Sequence, residues 1–95
     1  MTGGDPERGK IALVRYGCVS CHTIPGVRGA RSLVGPPLQG FAGRAYIGGV
    51  LPNVPDNLVR WLLSPPAVDS LTAMPNLGVN RADARDMASY LYTLE

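Results

Sequence analysis

Cys18-Val19-Ser20-Cys21-His22 gathers the chain's two cysteines and its one histidine into five positions. Three chemistries use such a cluster: a redox dithiol, a metal site, or a covalently attached haem. A C-x-x-C dithiol usually opens a helix within a βαβ unit, and no strand pattern supplies one here. Structural zinc takes four ligands, commonly as two separated pairs. With no further Cys or His, and with Cys21 adjacent to His22, a good tetrahedral geometry is out of reach. The haem reading fits the arithmetic, because C-x-x-C-H is the attachment pattern of c-type haem. Each thiol adds across one vinyl group, and His22 then ligates the iron through a ring nitrogen.

A six-coordinate iron needs a second axial ligand. Thioether sulfur is the usual alternative to a second imidazole, and the chain has three methionines. Met1 is terminal. Met87 falls on an apolar helical stripe, where a core gap-filler is expected. Met74 lies in a loop and is followed by Pro75, so Met74 is the expected ligand. With His22 and Met74 both on the iron, no open position remains, and the expected function is one-electron transfer rather than enzymatic turnover. Two rival readings stay open. A labile Met74 would give a gas sensor or a peroxidase-like protein, and a structural or docking module would use haem only as a staple.

The elements that must position these residues are few. Ninety-five residues allow one domain, 1–95, with residues 1–4 as a loose tail. Hydrophobic residues make up 45% and charged residues 17%, while 12 Gly and 9 Pro make the chain loop-rich. A loop-rich domain this small needs a staple, and a buried haem disc would supply the missing apolar core. Asp5-Pro6 predicts an N-cap and a helix over 6–16 that stops at Gly17. Residues 17–54 show little periodicity, with a short helical turn near 37–43. A second helix is expected from Pro55, with Leu58, Trp61 and Leu62 on one face. Pro65-Pro66 ends it, and 65–79 reads as loop. The last helix begins near Asn80, where Asn80 and Asp83 resemble a capping box. Ala84, Met87, Leu91 and Leu94 form its stripe, with Ala88 and Tyr90 on the flanks. The expected fold is all-α, three main helices plus long loops and no sheet.

Charge and hydropathy exclude other classes. A net charge of +2, from 9 basic and 7 acidic residues, with scattered arginines, gives no footprint for nucleic acid. No apolar run approaches the roughly 18 residues of a membrane span. The first ten residues lack the apolar region of a signal peptide, so the chain reads as cytosolic or as a mature or excised form.

Four motifs in order resemble the class I cytochromes c, over about residues 5 to 94. The haem motif is followed by Gly35-Pro36-Pro37-Leu38 and Gly40-Phe41-Ala42-Gly43-Arg44, then by the aromatic-bearing segment NLVRWLLSPPAVDSLTAMP and the terminal ARDMASYLYTL. The closest likeness is to small periplasmic monohaem cytochromes and to cytochrome domains appended to larger redox proteins, such as oxidase subunit II. The resemblance implies the cytochrome c fold around one haem c, covalently held by Cys18 and Cys21. It implies that the Pro36 carbonyl accepts the other His22 ring N–H and that Arg44 faces a propionate. Trp61 would pack on the haem or donate its indole N–H to a propionate. Thr72 would steady the ligand loop, and Asn53 would hydrogen-bond a propionate. Gly9 and Tyr90 would mark the crossing of the first and last helices. Ser70-Leu71 replaces a common Pro-Gly, and Val14 stands where an aromatic is common, with Tyr16-Gly17 expected to reposition that packing. The resemblance further implies a periplasmic site, or the outer face of the cytoplasmic membrane. Its redox partners would be a donor dehydrogenase or bc-type complex and an acceptor terminal oxidase or reductase. A monomer or a tethered domain is expected.

Overall fold

A computed structural model describes residues 4–17, 22, 24, 26, 38–47, 49, 51–68, 74 and 77–94. Among these, the chain runs α1 (Pro6–Arg15), a 3-10 turn (Phe41–Gly43), β1 (Tyr46–Ile47), β2 (Leu51–Pro52), α2 (Pro55–Leu63), α3 (Pro65–Val68) and α4 (Arg81–Leu91).

Local chemistry sets the ends of α1. Asp5 is the N-cap, its carboxylate accepting from the backbone N–H of Glu7 at 2.8 Å and of Arg8 at 3.4 Å. Pro6 fills the first position, where a missing N–H costs nothing. Tyr16 is the C-cap, and Gly17 leaves the helix at φ 82°, a left-handed conformation that favours glycine. At α4, Asn80 accepts from the Asp83 N–H at 2.8 Å. The Asn80 amide also donates to the Asp83 carboxylate at 3.1 Å, so the return link runs side chain to side chain and not to the Asn80 backbone N–H of a full capping box.

Helices α1 and α4 pack directly against each other. Gly9 makes this possible: a Cβ there would overlap the Asp86 carbonyl. Gly4, expected in the loose tail, also lies against α4, where a Cβ would overlap the Arg85 carbonyl. Ala12 and Leu13 from α1 meet Ala84, Met87, Ala88 and Leu91 from α4 in one core with Leu58, Trp61 and Leu62 from α2. Met87 is fully buried, in keeping with the packing role expected of it.

Two expectations are corrected. Residues 46–52 carry a small antiparallel pair, with Tyr46 opposite Pro52 and Ile47 opposite Leu51, so a sheet is present. Each strand has two residues, too short for an alternating pattern to form. Pro65-Pro66 ends α2 but opens α3, inside the segment expected to be loop. Proline is excluded from a helix interior and tolerated in a first turn, so the same two residues stop one helix and start the next.

Candidate cofactor site

The 41–53 segment is anchored to the end of α4. The Ala42 N–H donates to the Leu94 carbonyl at 2.9 Å. Phe41 and Tyr92 stack edge to face, with ring centroids 5.9 Å apart. Asn53 completes the bracket. Its amide nitrogen donates to the carbonyls of Phe41 at 3.1 Å and Arg44 at 3.0 Å, and its oxygen accepts from the Tyr92 hydroxyl at 2.7 Å. Burial pushes the Tyr92 phenol up from its ordinary value, which keeps that donor protonated. Both amide hydrogens of Asn53 are therefore committed to backbone carbonyls. Asn53 thereby pins the 41–53 segment to α4.

His22 and Met74 are both half-buried. Met74 packs against the main hydrophobic core, and Ile24, two residues after His22, is fully buried within it. The Met74 thioether thus stands at the edge of the apolar core, and His22 lies two residues from Ile24 within it. Among the described residues no group of three or more His, Cys, Asp or Glu could hold a metal ion. One nitrogen and one soft sulfur donor beside apolar surface fit haem iron better than a hydrated cation, so the residues present fit the expected group.

Trp61 is buried on the inner face of α2, consistent with packing. Arg44 is half-exposed; its guanidinium donates to the Gln39 carbonyl at 3.3 Å and lies 5.9 Å from the Phe41 ring centroid. Cys18, Cys21, Pro36 and Thr72 lie outside the described residues.

The structural comparison gives the architecture its place. The crystal structure of cytochrome c2 from Rhodobacter sphaeroides superposes with a TM-score of 0.65 at 21% sequence identity, covering 96% of each chain. The chain has the cytochrome c fold. No protein-family model matches the sequence, and no curated protein matches it. The expected three main helices of the cytochrome c fold correspond to α1, α2 and α4, with α1 against α4. Among the described residues, no helix is long and apolar enough to cross a membrane.

Two polar clusters at the helix crossing escaped sequence reasoning. Asp86 is buried at 8% exposure, accepting from the Asp5 N–H at 2.8 Å and the Arg8 guanidinium at 3.4 Å. Asp83 gathers three donors on one oxygen: the Tyr16 hydroxyl at 2.6 Å, Arg15 at 2.8 Å and Asn80 at 3.1 Å. The Tyr16 hydrogen bond above all, then the charge and hydrogen bond of Arg15, hold the Asp83 carboxyl below its ordinary 3.8 despite partial desolvation. Tyr16 therefore ties α1 to α4, while Val14, where an aromatic was expected to pack, is half-exposed. Tyr90 also lies at the crossing. Burial raises its phenol, and the nearby Glu7 carboxylate raises it further.

Proposed function

We propose that the chain is a one-electron carrier, a monohaem c-type cytochrome with His/Met ligation. The observation that carries this is the single histidine, directly after a C-x-x-C pair, in a chain whose fold matches a cytochrome c2 over nearly all of its length. Cys18 and Cys21 would hold the haem through thioethers, and His22 and Met74 would be its axial ligands. When bound, haem supplies a reversible Fe(II)/Fe(III) couple. The Met74 thioether favours the reduced iron and raises the potential, as does burial. The Pro36 carbonyl, accepting the free ring N–H of His22, would orient the imidazole and raise its basicity. Arg44 would face a propionate, Trp61 would pack on the macrocycle, and Thr72 would steady the ligand loop.

With His22 and Met74 both holding the iron, no position would be left for a substrate, and the role would be that of a carrier. Donor and acceptor proteins would meet the chain in brief encounters of small area. Covalent haem attachment of this kind would put the protein in the periplasm or on the outer face of the cytoplasmic membrane. Intact mass after acid treatment tests attachment directly. Protein made with haem-attachment machinery should exceed the chain mass by one haem, and an unmodified mass would overturn the reading.

A further inference from the structure

A groove between α2 and the start of α4 contains none of the residues discussed above as candidate cofactor contacts. Its apolar floor includes Val59 and Leu63, and its rim carries Arg60, Arg81 and Arg85 against one acid, Asp56. All four charged side chains are exposed. Among the described residues, none of these three arginines makes an ion pair. The fold itself gives them little reason to be there. Arg81 and Arg85 are like charges at i and i+4, which repel on a helix surface. Arg81 also sits in the first turn of α4, at the positive end of its dipole, where acids are favoured. An anion in the groove would relieve both effects.

We propose that this groove docks an acidic, partly apolar segment of a partner protein. Guanidinium forks pair bidentately with carboxylates, and three arginines from two helices offer such forks around one cleft. Val59 and Leu63 give apolar side chains of the same segment a place to bury, which a small inorganic anion would not use. At 100° per residue, positions 56, 60 and 63 face away from the Leu58, Trp61 and Leu62 stripe that enters the core, and Val59, itself part of that core, lies at the stripe's edge. A partner held here leaves that inner face of α2 undisturbed. The inference rests on this surface and stands independently of the electron-carrier reading.

The test is fluorescence anisotropy of a labelled peptide of glutamates interspersed with leucines, titrated with the full chain at about 0.15 M salt, where the Debye length is about 8 Å. Saturable binding is expected, with R81Q and R85Q each weakening it roughly two- to fivefold. K10Q removes the same charge from α1 and should leave affinity within about 1.5-fold, because exposed charges far from the site are screened. Circular dichroism should show all variants folded, since the altered side chains are not part of the core. Three results would each overturn the proposal: no saturable binding, equal weakening by K10Q and R85Q, or tighter arginine-dependent binding of tripolyphosphate or phosphatidylglycerol vesicles than of the peptide. The last would make the groove an inorganic-anion or membrane site instead.

Discussion

The α1/α4 crossing and the candidate cofactor face are built on different rules. At the crossing, residues are matched to each other by shape and charge. Gly9 admits the α4 backbone, Asp86 holds the start of α1, and Tyr16 and Arg15 hold Asp83. Among the described residues no buried side-chain polar atom lacks a hydrogen-bond partner. At the candidate cofactor face the roles proposed are those of iron ligands, an imidazole at His22 and a thioether at Met74, which packs against the core. One region should therefore report its mutations as lost stability and the other as changed spectra. Substitutions can separate the two.

The largest effect is expected at the crossing. Gly9→Val places a branched side chain where a Cβ already overlaps the Asp86 carbonyl. It should cost about 3 kcal/mol, the upper end of overpacking costs, read as a shift of the urea midpoint. A cost below about 1 kcal/mol would show that the helices separate easily and that the crossing is not tightly packed.

Asn53→Ala sharpens the boundary between the regions. It strands the Tyr92 hydroxyl and two carbonyls, so a loss of about 2 kcal/mol is expected. Its role as a bracket predicts this loss with little change in the redox midpoint. A large shift of the midpoint at unchanged stability would assign Asn53 to propionate binding instead.

The smallest effect is one of pH. The folded-state pKa of Asp83 lies below the ordinary 3.8, so the folded chain binds fewer protons there than the unfolded chain. Its contribution is complete above about pH 4 and is lost as pH falls through the lowered folded value. Tyr16→Phe removes the largest cause of that shift. The stability gap between wild type and Tyr16→Phe should be widest above pH 4 and should narrow on acidification, checked by urea melts from neutral pH downward. A gap that grows as pH falls would contradict the assignment.

Much of this architecture was legible because punctuation residues sit where backbone chemistry demands them. Asp5-Pro6, Gly17 and Asn80 mark helix ends by capping and by left-handed backbone, and the structure places those ends within a residue or two of expectation. The stripe of Ala84, Met87 and Leu91 was readable from the 3.6-residue period. The strand pair was not readable, because two-residue strands carry no period. Asp86 was hidden because a charged residue on an amphipathic helix reads as solvated, and its burial depends on the Asp5 N–H and Arg8 arriving from 78 to 81 positions away. The bracket made by Asn53 was hidden because an isolated amide gives no sign of which acceptors its N–H groups will meet. At the cofactor face, the C-x-x-C-H spacing announces the chemistry, and the match to the cytochrome fold supports its setting.

The account turns on Met74. The most direct test is the absorption spectrum of the oxidised haem-loaded protein, compared with Met74→Ala and with the conservative core variant Met87→Leu. Wild type and Met87→Leu should show a methionine–iron charge-transfer band, and Met74→Ala should lose it and bind carbon monoxide readily when reduced. A band that survives in Met74→Ala, or a wild type that lacks the band and binds carbon monoxide, would contradict the account.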